Sequence, residues 1–294
     1  MIREHKFALV TGCGAGTIGE ALVIEYTRSG VYAIATVLSD ESTDHLEKAG
    51  ITFFRLDVTS EESILALQGK VQELTGGYVD VLVNCAGIAY TMTAIDTDVV
   101  EVQRMFNVNV FGPMRMVRTF HDMIIQAKGC IVNIGSIGGV IPFLYGSSYS
   151  ASKAALHHWG NTLRVEMAPF DVKVITIISG EVSTNIFKSD TYRRLPEGIV
   201  PNSSYNSLID RLRHVTRNPL GTTNRFQYAE KVVSQSLKTS PPAWYWYGSF
   251  TSLTRFLDTF GWRTVWDSII WIMFDLSRLR EARKHSLKKD ALTM

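Results

Sequence analysis

Little in this chain is extreme, and each shortfall removes a class of protein. Its three cysteines, Cys13, Cys85 and Cys130, are odd in number, far apart and without metal-ligand spacing. They fit reduced thiols and exclude a disulfide framework. Thirty Lys and Arg against 28 Asp and Glu leave a formal charge of +2 over 294 residues, which calls for no nucleic-acid partner. No repeat, low-complexity tract or long Pro/Gly/Ser linker divides the chain. No His, Cys, Asp and Glu group stands at ligand spacing, so no metal is expected. The opening Met1-Ile2-Arg3-Glu4-His5-Lys6 runs straight into Phe7-Ala8-Leu9-Val10 with no apolar signal region before it. That start predicts a cytoplasmic protein.

What is present is an alternation of short apolar runs with longer segments of helical period, the pattern of βαβ units on a parallel sheet. Strands are expected near 6–11, 31–37, 51–56, 79–84, 129–135 and 172–178, with a seventh near 243–247. Helices are expected at about 18–29, 61–75, 97–127, 149–168 and 226–238. Runs such as Val79-Asp80-Val81-Leu82-Val83-Asn84 and Cys130-Ile131-Val132-Asn133-Ile134 suit strands buried on both faces. Residues 183–226, with Pro196, Pro201 and Pro219, break the rhythm where a substrate lid would lie. Residues 1–248 read as one catalytic domain and 249–294 as an aromatic, amphipathic helical extension.

Thr11-Gly12-Cys13-Gly14-Ala15-Gly16-Thr17-Ile18-Gly19 follows the first strand and opens the first helix. Glycines there let the backbone turn tightly and approach a pyrophosphate, which the partial positive charge of a helix N-terminus stabilises. The second strand ends Val37-Leu38-Ser39, with neither an acid for a ribose 2′-hydroxyl nor a base for a 2′-phosphate. With no carboxylate to repel phosphate, NADPH is expected over NADH, with Ser39 as a phosphate donor. Asp57, followed by Val58, closes the third strand where an adenine would lie; it equally suits an N-cap for the segment at Ser60. Asn84, Ala86 and Gly87 close the fourth strand at its carboxyl end, where open α/β sheets bind ligands.

Tyr149 and Lys153 stand four residues apart on one helix face. Ser136 lies just past the fifth strand, and Asn109 within Asn107-Val108-Asn109-Val110-Phe111-Gly112. Reducing a carbonyl requires hydride at carbon and a proton at oxygen. A free Tyr has a pKa of about 10, and a neighbouring ammonium is expected to lower it. Lys153 would also hold the nicotinamide ribose, Ser136 would donate to the substrate oxygen, and Asn109 would position a water linking Lys153 to solvent.

Taken together and in order, TGCGAGTIG, LDVTS, NCAG, NVNVFG, NIGSIGG, YSASK and GEVST resemble the short-chain dehydrogenases/reductases over roughly residues 5–248. That resemblance implies a Rossmann-type, doubly wound α/β sheet with helices on both faces. It also implies a catalytic tetrad of Asn109, Ser136, Tyr149 and Lys153. Cofactor contacts would come from Gly12, Gly14, Gly16, Thr17, Ile18, Gly19, Ser39, Asp57, Val58, Asn84, Ala86, Gly87, Tyr149, Lys153, Gly180, Val182 and Thr184, the last on the nicotinamide carboxamide. Three departures stand out. The glycine loop is one residue longer than usual, and Leu38 replaces the Arg common in NADPH-preferring members. Ser179 replaces the usual Pro after strand six, which frees φ and predicts looser nicotinamide placement.

The longer loop is similar to a fungal branch resembling NADPH-dependent 1-acyldihydroxyacetone-phosphate reductases. Such a branch implies a lipid-like ketone or a natural-product intermediate as substrate, and peripheral contact with endoplasmic reticulum or lipid droplets. It also suggests a homodimer or homotetramer. Five of six tryptophans follow residue 243, and Phe256, Leu257, Phe260, Val265, Trp266, Ile269, Ile270, Met273 and Phe274 recur at helical spacing. Charged residues interrupt that run before the roughly 20 apolar residues of a bilayer span. The basic end, Arg278 to Asp290, suits anionic headgroups or solvent. Lid residues Lys188, Arg193, Arg194, Arg211, Arg213, Arg217 and Arg225 suit an acidic substrate or a solvated surface. His157 and His158 read as packing or interface residues. A ketone reductase is the leading function; the alternative is a non-redox NADP(H)-binding scaffold, such as a cyclase, isomerase or binding protein.

Overall fold

The computed structural model of the chain describes residues 5–186, 222–262, 264–274, 276, 277, 280, 281 and 284. Strands β1 (Phe7–Val10), β2 (Tyr32–Val37), β3 (Thr52–Arg55), β4 (Val81–Asn84), β5 (Cys130–Ile134), β6 (Lys173–Ser179) and β7 (Trp244–Tyr247) form one sheet. Its order is β3-β2-β1-β4-β5-β6-β7, and each adjacent pair is parallel. The sheet is therefore doubly wound, and the strand order reverses between β1 and β4. At that reversal the carboxyl ends diverge and leave a crevice for a ligand.

Period-two alternation sorts the strand side chains between two cores. Ala8 and Val10 point to one face, where Leu22, Val23 and Tyr26 of α1 (Ile18–Arg28) meet Tyr228, Val232 and Val233 of the Arg225–Ser236 helix. Leu9 points to the other, against Ile64 and Leu67 of α3 (Glu61–Thr75), Phe120 and Ile124 of α5 (Gly112–Ala127), and Leu163 of α6 (Ser147–Met167). Burying each such side chain contributes about 1.5–3 kcal/mol. The edge strands β3 and β7 are only half-buried, as strands with one neighbour should be.

Two element expectations change. The helix expected over 97–127 is α4 (Val99–Phe106), a π-helical turn over Asn107–Phe111 and α5. The wider turn follows Asn109, whose side chain is drawn out of the helix into contacts with Ile88 and Ser152. A short α2 (Asp44–Lys48), absent from the expectation, follows β2, and its Leu46 is buried. Beyond β7 the chain forms two helices, Thr251–Phe260 and Val265–Met273. Trp266 and Phe274 are buried, and Phe274 packs with Tyr145 and Leu144 in the loop before α6. No described helix is long and apolar enough to cross a membrane. Most of the expected lid, including Lys188 and Arg193 to Arg217, lies outside the described residues.

Candidate active site

The glycine loop closes the carboxyl end of β1 with backbone that other residues adopt at a cost. Gly12 has φ +73°, and a Cβ there would stand 2.7 Å from Cα of Ala86 across the crevice. Gly19 lies so close to the Gly12 carbonyl that only hydrogen fits. Thr17 is the N-cap of α1, accepting from Glu20 N–H, while its hydroxyl donates to Gly14 O at 2.7 Å. Its hydroxyl is therefore spent on the loop, and Ile18 begins the helix. On the β4 side, the N–H groups of Cys85 and Ala86 both donate to Oγ1 of Thr11 at 3.0 Å. These contacts hold a narrow cradle at a helix N-terminus, which fits a dinucleotide pyrophosphate.

Two neighbours engage the cradle. Oε2 of Glu20 accepts the Gly16 N–H at 2.7 Å and pairs with Arg225 at 3.5 Å. Asn185, one residue past Thr184, donates its N–H to Gly16 O and its Nδ2 to Ala15 O. The segment after β6 is thus stitched to the loop. Gly180 sits against the backbone of Gly248 and Ser249, and Val182 bridges to Thr223. Ser179 is buried at the end of β6, where its hydroxyl meets the Tyr228 hydroxyl at 2.5 Å. The loosening expected from losing Pro at this position is opposed by that bond.

Other expected cofactor residues spread out. Ser39 is exposed. Asp57 is not the N-cap of α3: Ser60 is, accepting from Ser63 N–H, while Oδ1 of Asp57 accepts from Thr59 in its own turn. Val58 is buried against Gly112. Asn84 turns into the sheet, donating to Oδ1 of Asn133 at 2.8 Å. Gly87 lies next to the catalytic candidates: a Cβ there would stand 3.3 Å from Oδ1 of Asn109 and 3.7 Å from Nζ of Lys153.

The four expected catalytic residues do gather beside this crevice. Tyr149 and Lys153 project from the first turns of α6, with Nζ of Lys153 5.8 Å from the Tyr149 ring centre. Lys153 is buried, and its Nζ donates to Ile134 O at 2.9 Å. Burial brings its pKa down to about 8. Ser136 hydrogen-bonds the Tyr149 side chain, and its Oγ accepts from Gly138 N–H at 3.0 Å. Burial of the phenol dominates over that bond and raises the Tyr149 pKa to about 12. The expected lowering by the Lys153 ammonium is not seen: desolvation is the main cause of the shift, and the lowering influence is the Ser136 hydrogen bond. Asn109 is anchored beside them. Its Nδ2 donates to Ile88 O and Ser152 Oγ, and its Oδ1 accepts from Ile88 N–H. The side chain fixes the loop after β4 to α6.

His157, expected as a packing or interface residue, stands directly behind Ser136. It follows Tyr149 and Lys153 at the same four-residue interval, and that spacing was the available signal. Among the described residues no group of His, Cys, Asp and Glu gathers to hold a metal.

A family model described as short chain dehydrogenase matches residues 6–194. A short-chain dehydrogenase of Aspergillus ruber is 70% identical over 285 residues, covering 97% of this chain and 98% of that protein. An NADPH-dependent 1-acyldihydroxyacetone phosphate reductase of Schizosaccharomyces pombe is 39% identical over 219 residues, 74% of each chain. A solved short-chain dehydrogenase from Streptomyces avermitilis superposes with a TM-score of 0.74 at 27% identity, over 97% of this chain and all of that one.

Proposed function

The chain belongs to the short-chain dehydrogenase family, and from that premise we propose that it reduces a ketone to an alcohol with NADPH. The observation that carries this reading is the gathering of Tyr149, Ser136 and Lys153 beside the glycine cradle. Burial keeps the Tyr149 phenol protonated at neutral pH, so its proton is available to a substrate oxygen. NADPH would bind at the Gly12–Gly19 cradle, supplying hydride, with Lys153 against its nicotinamide ribose. Ser136 would donate to the substrate oxygen as Tyr149 transfers its proton there. The activity named for the Schizosaccharomyces pombe relative supports both NADPH and a lipid-like ketone, while a natural-product ketone fits the same chemistry. A non-redox scaffold leaves the gathered Tyr149, Ser136 and Lys153 without a task.

Two finer readings accompany this one. The exposed Phe256, Phe260 and Trp262 favour peripheral contact with a lipid surface, which vesicle flotation checks. Family membership favours a homodimer or homotetramer, which light scattering checks.

The central test pairs turnover with binding. Tyr149→Phe should lower NADPH oxidation with a reactive 1,2-diketone at least a thousandfold and leave NADPH affinity within about twofold. A fully active variant overturns the reading.

A further inference from the structure

The adenosine end of the crevice carries two charged side chains that the strand-two motif does not reveal. The turn after β2 is closed by the Glu41 N–H donating to Leu38 O at 3.3 Å. That turn folds the Glu41 side chain back over the glycine loop, where its Oε2 accepts the Leu38 N–H at 2.9 Å. A Cβ added at Gly14 would collide with Oε1 of Glu41. The carboxylate therefore lies directly on the cradle, beside the end of strand two, where the ribose 2′ position of a bound dinucleotide belongs.

Arg55, the last residue of β3, reaches across the end of β2. Its Nη1 donates to Leu38 O at 2.6 Å and to Glu41 O at 2.7 Å. The guanidinium is exposed, and no carboxylate pairs with it among the described residues. A planar cation with unused donors beside a ribose subsite suits a phosphate. Glu41 and Arg55 thus bring opposite charges to one turn, and a 2′-phosphate is the feature of the nucleotide that would distinguish them.

Resting on the NADPH reading above, we propose that Glu41 and Arg55 set the choice between NADPH and NADH, the carboxylate opposing and the guanidinium favouring a 2′-phosphate. NADPH enters only as Glu41 swings off Gly14, whereas NADH tolerates the carboxylate as a partner for its 2′-hydroxyl. Strand two ends without a discriminating residue because the discrimination is supplied from three residues further on and from the neighbouring strand.

The test is titration of NADPH and NADH, by nucleotide fluorescence, into wild type, Glu41→Gln and Arg55→Gln. Gln keeps an acceptor for the Leu38 N–H, so the turn retains its shape. Removing one unit charge near a phosphate dianion in a solvated site should change affinity by about tenfold. Glu41→Gln should therefore tighten NADPH about tenfold and shift NADH by less than twofold. Arg55→Gln should weaken NADPH by a similar factor and leave NADH alone. If both nucleotides bind wild type but neither variant changes their ratio, this assignment is overturned while the reductase reading stands. If wild type binds neither nucleotide, the reductase reading fails and takes this one with it.

Discussion

The backbone N–H of Ser136 donates to Nε2 of His157 at 3.2 Å. For Nε2 to accept, the ring must be neutral and carry its proton on Nδ1, which is buried with no partner among the described residues. The imidazole edge also fills the space that side chains at Gly135 and Gly139 would need, and its ring meets Trp244 edge-on at 5.5 Å. His157 therefore braces the turn that aims the Ser136 hydroxyl. His157→Phe removes the acceptor and leaves a buried N–H unpaired, a loss of about 1–3 kcal/mol. We expect kcat to fall at least tenfold with NADPH affinity held within twofold, and His157→Gln to recover part of the loss. Equal losses in kcat and in NADPH affinity would reduce His157 to general packing.

The same ring makes stability depend on pH. Burial, with Lys153 nearby, brings the His157 pKa down from 6.5 to about 3. Between those values the unfolded chain binds a proton that the folded chain does not. Stability is thus present above about pH 6.5 and is lost as pH falls, at up to roughly 1.4 kcal/mol per pH unit from this one group. Melting temperature followed from pH 7.5 to 4.5 should drop more steeply in wild type than in His157→Phe. Parallel curves would show that His157 carries no part of the acid sensitivity.

Turnover should respond on the alkaline side through Lys153. Burial places its pKa at about 8, while Tyr149 keeps its proton to about 12. Raising pH through 8 neutralises the ammonium that we propose holds the ribose and leaves the Tyr149 proton in place. The reduction rate should therefore decline with one ionisation near pH 8, and Lys153→Arg, always charged, should flatten whatever activity it retains. A rate constant from pH 7 to 10 would remove Lys153 charge from the mechanism.

Most of the sheet was legible because buried parallel strands are written as short apolar runs, and Cys130–Ile134 is one of them. Tyr149, Lys153 and Ser136 were legible for a different reason: each follows a strand or opens a helix at a fixed offset. What escaped depends on side chains returning across the fold. Glu41 folds back onto Gly14 through a turn with no periodicity, and Arg55 reaches it from another strand. The π-helical turn at Asn109 likewise depends on side-chain contacts with Ile88 and Ser152 from outside its own helix. The rise of the Tyr149 pKa comes from desolvation, which a sequence does not display as it displays charge.

The last prediction concerns Ser179, where the sequence resemblance predicts a proline. Its hydroxyl and that of Tyr228 share a buried hydrogen bond across 49 residues, tying the end of β6 to the Arg225–Ser236 helix. The next residue, Gly180, abuts Gly248 and Ser249, so any drift at Ser179 moves the segment leading to Thr184. Removing either hydroxyl leaves the other buried without its partner, and each single change should cost about 1–3 kcal/mol. Removing both strands neither, so Ser179→Ala with Tyr228→Phe should cost less than the two single changes added together. The shortfall, measured by urea unfolding, should be about 0.5–3 kcal/mol. If the pair replaces proline as the brace, Ser179→Pro in a Tyr228→Phe background should regain NADPH affinity lost by Tyr228→Phe alone. Strict additivity of the two single changes would mean that the hydroxyls meet without supporting each other, and that the nicotinamide segment is held by Gly180 packing instead.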